Sequence, residues 1–320
     1  MINKLIKNLY ESILFLPKPY RHKLYIGSSV LALTASTSIY ISLQTFKIDR
    51  FVEHLQMYRM RMPIPVHQDL NELLHQVVMD FGPNKLNSPL CIFNFIGNDM
   101  YSIGNISLPT GAFIGVPYNM NLNSINQLKV EDIRFLGRFK TKRTAESPII
   151  QQLFRSLLYS TQAKRFALAH EFNLLSSSYF FVKTFNIAFN TLIILWFFPK
   201  LNKISNNSLP KLIGYKKTLL SLSFLMLVIS TGILIDHALD HFYDIWSLKK
   251  TIRFNREYLN GAIEYYSKLI DRNKSIFELL GDKRSQFFTS DGRTKKLFGI
   301  YSLSYEKHLK ICHQNLFIDD

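Results

Sequence analysis

The stretch Gln162-Ala-Lys-Arg-Phe-Ala-Leu-Ala-His-Glu-Phe172 leads into two apolar runs, residues 180–198 and 218–235. The second run has 18 residues and no charged side chain, and the first has 19 residues and one charge, Lys183. A helix rises about 1.5 Å per residue, so roughly 20 residues cross a hydrocarbon core of about 30 Å. Residues 199–217, between the runs, contain five lysines and no acid. This order predicts a membrane hairpin with a short basic loop, from which the other parts of the chain extend.

The composition suits a membrane protein that also has a soluble core. Of the 320 residues, 47% are hydrophobic, and the net charge is +16 at pH 7. The basic residues are scattered and no helix-turn-helix, zinc-finger or RNA-recognition motif accompanies them, so we expect no nucleic-acid partner. An anionic membrane surface, together with mitochondrial targeting, explains the charge more simply. The two cysteines, Cys91 and Cys312, predict no disulfide framework.

The N-terminal residues predict a basic flank followed by a first membrane span. Residues 1–23 carry five basic residues against one acid, Glu11, and their apolar residues recur at helical spacing. Such a segment suits either a mitochondrial targeting element or the cytosolic flank of a span. Residues 24–46 hold no charge but many Ser and Thr, whose hydroxyls can bond to the helix backbone. Lysines before this span and in the loop 199–217 predict that both lie on the inner side of the membrane.

Residues 49–178 predict a soluble module of mixed α and β structure. An amphipathic helix is expected over residues 69–81 because its leucines and valine share one face. Strand candidates follow, separated by clusters of Gly, Pro and Asn, at residues 90–96, 112–116 and 128–135. A long helix from Pro148 to about residue 175 then leads into the membrane hairpin.

The predicted fold is therefore an α-helical membrane protein with a mixed α+β soluble module and about three transmembrane helices, two of which form the hairpin. In the C-terminal region we expect a long helix to about residue 270, a shorter one over 274–280 and a turn at Thr289-Ser-Asp-Gly292. The predicted segments are 1–23 (basic N-terminus), 24–46 (first span), 49–178 (soluble module), 180–198 (second span), 199–217 (basic loop), 218–236 (third span) and 237–320 (helical C-terminal region).

The pair His170-Glu171 resembles the first half of the His-Glu-x-x-His signature of zinc proteases. That chemistry requires a second histidine one helical turn on, where this chain has Leu174. Membrane zinc metalloproteases of the CAAX-processing and heat-shock type place a membrane hairpin after this motif and a third ligand in a Glu-x-x-x-Asp helix. Here Glu257 stands at the ligand position and Gly261 where the acid should be. Two interpretations are open: a degenerate metalloprotease-like core, in which His170, Glu171 and Glu257 are vestigial, or a helix in which His170 and Glu171 only satisfy local polar contacts near the membrane. Neither makes any of these residues catalytic.

Two further sets of polar residues lie near the apolar runs. His237 and His241 are spaced i, i+4 and could share a metal, but a helix at a membrane interface also favours polar residues, so we predict no metal or other cofactor. Within the second span, Lys183, Asn186 and Asn190 fall on one helical face. Polar side chains inside a span usually face protein, so these three are candidate contact residues. Alternatively, Lys183 only extends to the nearby interface.

Several stretches are similar to the transmembrane protein 177 family. Thr110-Gly-Ala-Phe-Ile-Gly-Val-Pro117 is similar to that family's Gly-Ala-x-x-Gly-Ile-Pro segment, and residues 162–171 are similar to the segment before its hairpin. Gly261-Ala-Ile-Glu-Tyr-Tyr-Ser-Lys-Leu269 resembles the Gly-Val-Glu-Phe-Tyr-x-Lys-Leu segment after it. Leu279-Leu-Gly281 and Thr289-Ser-Asp-Gly292 continue the match in the same order. The resemblance covers residues 23 to about 305.

This resemblance implies a multi-pass protein of the mitochondrial inner membrane that supports the assembly of cytochrome c oxidase. The implied partners are the membrane, newly made subunit 2 of the oxidase and that subunit's dedicated chaperone. No catalytic residues are implied, so we expect a non-enzymatic assembly factor. One alternative is a membrane zinc metalloprotease-like hydrolase, an inactive relative or pseudoenzyme, with His170, Glu257 and one of His237 and His241 as ligands. Another is a secretory-pathway membrane protein glycosylated at Asn105 or Asn273.

Overall fold

The structure is a computed structural model that describes residues 18–82, 88–128, 134–135, 139–140, 146–208, 214–280 and 304–316. The predicted turn at Thr289–Gly292 and residues 1–17 of the predicted N-terminal segment lie outside these ranges. The chain divides into two compact units. We call Met1–Phe46 with Phe181–Leu239 the helical unit, and Lys47–Phe180 with Asp240–Asp320 the α+β unit.

Helices dominate the part of the chain that the structure describes. In chain order the helices are α1 Lys18–Gln44, α2 Ile48–Leu55, α3 Gln68–Phe81, α4 Pro148–Leu157, α5 Thr161–Leu175, α6 Tyr179–Ser208, α7 Gly214–Ile252, α8 Arg256–Leu279 and α9 Tyr305–Leu316. The strands are β1 Tyr58–Arg59, β2 Met62–Pro63, β3 Leu90–Phe95, β4 Tyr101–Gly104, β5 Ala112–Pro117, β6 Arg134–Phe135 and β7 Phe139–Lys140. Short 3-10 turns occupy Tyr118–Asn121 and Ile125–Gln127.

Two helices of the helical unit are long and apolar enough to cross a membrane, in Tyr179–Phe197 of α6 and Leu222–Ile252 of α7. Only 11% and 6% of their most apolar windows are buried, so these helices do not form the core of a soluble domain. Helix α1, where the first span was predicted, has a described apolar part of only Val30–Gln44. Hydroxyls of this part bond to the helix backbone, as Thr37 Oγ1 donates to the carbonyl oxygen of Leu33 at 2.8 Å. The prediction of about three spans is therefore not confirmed.

Helices α6 and α7 are both longer than the apolar runs that predict them. The predicted basic loop 199–217 is largely helical, because α6 continues to Ser208 and α7 begins at Gly214. Residues 209–213 of that loop lie outside the described ranges. Helix α7 also extends past the predicted end of the third span at residue 236, since no Gly or Pro interrupts it before Ile252. The hairpin therefore consists of two long helices, and most of the basic segment 199–217 belongs to one or the other of them.

The α+β unit contains a three-stranded mixed sheet. Its central strand β5 pairs in parallel with β3 and antiparallel with β4. The strands predicted at residues 90–96 and 112–116 are confirmed, whereas β4 is too short and too polar at Ser102 to be recognised in the sequence. Of the strand predicted at 128–135, only Arg134–Phe135 is a described strand, and residues 129–133 lie outside the described ranges.

The single long helix predicted from Pro148 to residue 175 is wrong, because the structure has two helices, α4 and α5. Leu158 takes an extended conformation with φ −94° and ψ 120°, which ends α4. The Ser160 side chain then accepts a hydrogen bond from the Ala163 backbone N–H at 3.2 Å and caps α5. Asn255 caps α8 in the same way, through the Tyr258 N–H at 2.9 Å. In the C-terminal region, the sequence predicts a helix that ends near residue 270 and a shorter helix over 274–280. The structure instead has the single helix α8 over the end of the first and nearly all of the second.

The core of the α+β unit is the crossing of α5 and α8, flanked by α3, α4, α9 and the sheet. Phe166 and Phe172 of α5 and Tyr258 of α8 are fully buried there. Gly261 lies at the point of closest approach, where an added Cβ would be 2.4 Å from the backbone oxygen of Gln162. Glycine is therefore required at 261 because it lets the two helix backbones come together.

Candidate functional site

A cavity of about 320 Å³, lined by both polar and apolar side chains, lies within the α+β unit. Its wall is built from the segment Asp99–Ser102, from α5, from the last turns of α7 and from α8 and α9. Residues that are far apart in the sequence place imidazoles, carboxylates and phenols next to one another in this wall. The size is at the lower end of the range of small-ligand pockets, which is about 300–1,000 Å³.

At the centre of this wall, the carboxylate of Asp244 on α7 bridges two buried histidines. Its Oδ2 atom is 2.7 Å from Nε2 of His308 on α9, and its Oδ1 atom is 3.3 Å from Nε2 of His170 on α5. The other ring nitrogen of His170 lies 3.2 Å from the carboxylate of Glu171. His170 and His308 are 7% and 2% exposed. We call these four residues the imidazole–carboxylate cluster.

The surroundings of the His170 imidazole favour its protonated form. Burial alone lowers the pKa of His170, but hydrogen bonds and charge from Asp244 and Glu171 outweigh it and raise the pKa to about 10. Each nitrogen of His308 faces an acceptor, Asp244 Oδ2 on one side and the carbonyl oxygen of Ser304 at 3.2 Å on the other. The cluster therefore places two imidazoles against two carboxylates, and the imidazole of His170 is held as a cation.

Tyrosines form the apolar part of the wall. The ring of Tyr266 stacks on that of His308, with centroids 4.6 Å apart and planes 21° apart. Burial is the main cause that raises the pKa values of Tyr265, Tyr266 and Tyr305 well above the usual value. Their phenols are therefore neutral throughout the physiological range, and they supply ring faces and hydroxyls but no charge.

A second buried ion pair borders the cavity. Arg272 of α8 is 3% exposed and donates to Asp99 Oδ1 and to the carbonyl oxygen of Asn98, each at 2.6 Å. The hydroxyl of Tyr305 donates to the other oxygen of Asp99 at 3.2 Å. Burial lowers the pKa of Arg272, but the charge of Asp99 raises it further, so the side chain remains charged. Asp99 therefore connects α8, α9 and the segment after β3.

The polar groups of this site mostly satisfy one another. The described buried side-chain atoms without a hydrogen-bond partner belong to Thr110, Arg165, Asn173 and Ser275, and none of these residues lines the cavity. Among the described residues, no group of three or more His, Cys, Asp and Glu has a geometry that could hold a metal ion. The site is therefore a set of ionic and hydrogen-bonded contacts that holds α5, α7 and α9 together.

The sequence candidates for a vestigial protease centre are separated. His170 and Glu171 lie in the cluster, but Glu257 is 60% exposed and pairs with Arg165 at 3.1 Å instead. Leu174 lines the cavity at the position where a protease has its second histidine. The acid expected at 261 could not be accommodated, since any side chain there would meet the Gln162 backbone. The described residues do not assemble the ligand set of a metalloprotease.

The two histidines considered as metal ligands lie on the same helix, α7, but differ in position. His241 lines the cavity, close in sequence to Asp240, whose Oδ1 accepts a hydrogen bond from the Tyr179 hydroxyl at 2.6 Å. His237 is half-buried and lies in the helical unit. Nothing in the described geometry brings the two imidazoles to a shared ligand set.

The three polar residues of the second span face the neighbouring helix of the hairpin. Lys183 Nζ is 3.3 Å from Asp236 Oδ2 on α7, and Asn186 Nδ2 donates to the carbonyl oxygen of Gly232 at 3.4 Å. Asn190 donates to the Asn186 backbone and side-chain oxygens at 2.7 and 2.8 Å. Lys183 and Asn186 therefore link α6 to α7, and Asn190 lies on the same side of α6, because a Cβ at Gly232 of α7 would be 2.9 Å from its side chain.

Asp244 and His308 are the site residues that sequence reasoning missed. Asp244 ends the polar series that begins at Asp236, and this spacing could have marked the last turns of α7 as polar on one face. His308 stands alone in the sequence, and no pattern marks it. The two residues are 64 positions apart, so their contact depends on the fold and not on any local motif.

Comparison with known proteins gives relatives over most of the chain. Transmembrane protein 177 of Homo sapiens is 26% identical over 259 residues, which cover 76% of each chain. The Danio rerio protein of the same name is 23% identical over 230 residues (72% of this chain, 73% of the relative), and the Rattus norvegicus protein is 23% identical over 299 residues (89% and 88%). No protein-family profile matches the chain. No solved structure matches it either.

The exposed apolar hairpin and these relatives together define the class: a helical membrane protein that carries a folded α+β unit. The agreement extends over 72–89% of the chain in the relatives from fish, human and rat. It confirms the resemblance predicted from the sequence motifs, and the four relatives, at 23–26% identity, support the transmembrane protein 177 family for this chain.

Proposed function

We propose that this protein is a non-enzymatic assembly factor of the mitochondrial inner membrane that stabilises newly made subunit 2 of cytochrome c oxidase together with its chaperone. The observation that carries the proposal is the similarity to transmembrane protein 177 over most of the chain. The acid-poor, basic start of the chain supports a mitochondrial destination. The function of the family enters here as an expectation from the resemblance.

The helical hairpin supplies a surface that fits this role. On α6, Phe185 and Phe189 are 68% and 48% exposed, and their rings stack with centroids 5.9 Å apart. Leu192 and Trp196 continue the exposed apolar surface along the same helix. In a bilayer, such a surface packs equally well against lipid or against the spans of another protein. A membrane-spanning client would bind there laterally, while the α+β unit would hold its extramembrane part.

The alternative of a zinc-dependent hydrolase gains no support from the site. Its third ligand, Glu257, is engaged with Arg165, and the acid of the Glu-x-x-x-Asp pattern is replaced by Gly261 for reasons of helix packing. The secretory alternative loses its acceptor residues, because Asn105 and Asn273 are each 1% exposed in the folded chain. A glycosylated asparagine must be on the surface.

The proposal is tested by labelling mitochondrial translation products in cells that carry a tagged copy of this chain. Subunit 2 is expected to co-purify with the tag soon after synthesis, and depletion of the chain is expected to shorten the lifetime of new subunit 2. Recovery of no translation product, with subunit 2 lifetime unchanged on depletion, would contradict the proposal.

The same assay tests the contact residues of the second span. Changing Asn186 and Asn190 together to leucine is expected to weaken co-purification of the client without loss of membrane insertion. Met226→Leu is a suitable control, because Met226 is an exposed apolar residue of α7 that does not belong to the apolar surface on α6. Equal recovery of the client at equal expression would show that the two asparagines serve the hairpin alone.

Metal analysis of detergent-purified protein separates the two functional classes. The assembly-factor proposal expects no stoichiometric zinc in the wild-type chain or in His170→Ala after expression with added zinc. About one zinc per chain that is lost in His170→Ala would favour the hydrolase alternative instead.

A further inference from the structure

The β-hairpin formed by β1 and β2 exposes apolar side chains that the fold does not use. All six residues from Tyr58 to Pro63 are exposed, and Met60 and Met62 reach 89% and 72%. Tyr58 is 47% exposed. A single exposed methionine is ordinary, but here two methionines and a tyrosine project from one four-residue ladder and its turn. We call residues 58–63 the β-hairpin tip.

The backbone conformation of the tip favours residue types other than the Met60 and Arg61 that occupy its turn. Met60 and Arg61 form the two-residue connection, with φ of 52° and 67°. Positive φ at both positions defines a type I′ hairpin turn, for which Asn-Gly is strongly preferred. Met and Arg are strained there because their Cβ atoms crowd the backbone in the left-handed region. The turn therefore keeps these two side chains at some cost in stability.

The base of the tip is rigid, so the side chains are held out in a fixed position. The Met57 N–H donates to the Asn94 carbonyl oxygen at 2.8 Å, and the Ile64 N–H donates to the Met57 oxygen at 2.9 Å. The Asn94 side chain is fully buried and donates to the carbonyl oxygens of Ile64 and Pro65 at 3.0 and 2.8 Å. The two ends of the hairpin are thereby fastened to the central sheet through β3.

The charge around the tip has one sign. Residues 54–68 contain no acid, and the exposed arginines Arg59 and Arg61 alternate along the chain with Tyr58, Met60 and Met62. Guanidinium groups bind lipid phosphates, while methionine and tyrosine side chains partition into the region between headgroups and acyl chains. Apolar and basic residues that alternate in this way complement an anionic membrane surface.

We propose that the β-hairpin tip docks the α+β unit onto an anionic lipid surface, with Met60 and Met62 inserted among the acyl chains and Arg59 and Arg61 on lipid phosphates. A protein partner fits less well, because a stable protein interface takes about 800 Å² and 20–30 residues from each side. Six residues provide far less than that. A bilayer accepts a small insertion, and this chain is already a membrane protein.

The test uses the full chain reconstituted in vesicles of phosphatidylcholine with roughly one lipid in five replaced by phosphatidylglycerol. A bimane fluorophore is attached to Met60→Cys in a Cys91→Ser background, since Cys91 is exposed whereas Cys312 is buried. Lipids with a nitroxide near the headgroup report membrane contact, and iodide reports contact with water. Met79→Cys is the matched control, because Met79 is an exposed methionine, 53% accessible, on α3 of the same unit.

We expect at least twofold stronger quenching by the nitroxide lipids at position 60 than at position 79, with iodide showing the reverse order. The ratio of lipid quenching at position 60 to that at position 79 should fall to about one when Arg59 and Arg61 are both changed to glutamine, or when all the lipid is phosphatidylcholine. Equal iodide quenching at both positions would overturn the proposal, as would lipid quenching that persists without anionic lipid. Protection of position 60 from both quenchers in native membranes, with none in vesicles, would indicate a protein partner and would also overturn it.

A second variant guards against an effect through misfolding. Met60→Asn with Arg61→Gly gives the tip the sequence that its backbone prefers, so the thermal unfolding temperature should remain equal or rise. In this variant the probe is moved to Met62→Cys, and the same probe in the otherwise unchanged turn is its reference. A tip that loses its lipid quenching while the protein keeps its stability would support docking by side chains. Unchanged quenching would show that Met60 and Arg61 take no part, and would overturn the proposal.

Discussion

The Nε2 atom of His308 lies 2.7 Å from Oδ2 of Asp244, and this contact fastens the last described helix of the chain to the end of the membrane-hairpin helix α7. His308 is 2% exposed, whereas the side chain of Asp244 is 35% exposed, so the imidazole is the partner that is removed from water. The same carboxylate also reaches His170. A hydrogen bond whose polar group is buried is costly to break, because that group then stays without a partner.

We therefore expect His308→Gln to destabilise the α+β unit by roughly 1–3 kcal/mol, through loss of the hydrogen bond to the Asp244 carboxylate and of the ring stacked on Tyr266. The measurement is thermal or denaturant unfolding of detergent-purified protein. His313→Gln serves as the control, since His313 lies on the same helix but is exposed. Equal loss of stability in both variants would mean that the contact with Asp244 contributes nothing specific.

The raised pKa of His170 predicts a dependence of stability on pH. Its pKa rises from 6.5 to about 10 on folding, so the folded chain binds a proton that the unfolded chain releases near neutrality. The stabilisation is fully present below about pH 6.5 and is lost as the pH rises towards 10. The stability difference between wild type and His170→Gln should therefore be largest, roughly 2–4 kcal/mol, in mild acid and should shrink with rising pH.

Unfolding curves of the two proteins at a series of pH values measure that difference, and the titrating groups that do not contact His170 cancel because both proteins share them. A gap that stays constant across the range would show that His170 is neutral in the folded state. A gap that grows with pH would reverse the sign and contradict the assignment of His170 as a cation.

The parts of the fold that follow from local patterns could be read from the sequence. The apolar runs predict the hairpin, and the amphipathic pattern of residues 69–81 predicts α3. The break between α4 and α5 was missed, although Ser160 is an ordinary N-cap residue, because the apolar residues before and after it continue at helical spacing. Capping chemistry here overrides periodicity.

The candidate site could be predicted only in part. His170 and Glu171 form half of a known motif, but the rest of the cluster comes from distant helices: Asp244 gives only a polar spacing on α7, and His308 carries no local signal. Gly261 was read as the place of a missing acid, whereas the structure shows that a helix crossing requires glycine there. The partners of His170 and the role of Gly261 were both missed because each depends on contacts between residues that are far apart in the sequence.

Because α5 and α8 cross closely at Gly261, we expect even the smallest side chain at this position to destabilise the fold. In Gly261→Ala the added Cβ would be 2.4 Å from the Gln162 backbone oxygen, and a backbone atom cannot move away as a flexible side chain would. The helices must separate, and we expect a loss of about 1–3 kcal/mol even though alanine favours helix. Thermal unfolding of the purified variant gives the measurement.

The control for this prediction is Gly27→Ala in α1. A Cβ at Gly27 would meet nothing within 4 Å, so this change should leave stability equal or raise it by up to about 1 kcal/mol. If Gly261→Ala were as harmless as Gly27→Ala, the two helices would have room that the structure does not show.

The ion pair inside the helical hairpin makes the last prediction. Lys183 and Asp236 are 3.3 Å apart on neighbouring apolar helices, with side chains 15% and 39% exposed. Removing one partner leaves a lone charge, which costs about 2.5–3.5 kcal/mol at the centre of a span and less near its ends. Lys183→Met should therefore lower the amount of chain that accumulates in membranes, and Lys183→Met with Asp236→Asn should restore it, because neither charge then lacks its partner. Quantitative immunoblots of carbonate-washed membranes measure both variants against wild type. If the double variant accumulates as poorly as Lys183→Met, the lysine acts through something other than Asp236, and a contact with a client protein becomes the better explanation for a charge at that depth.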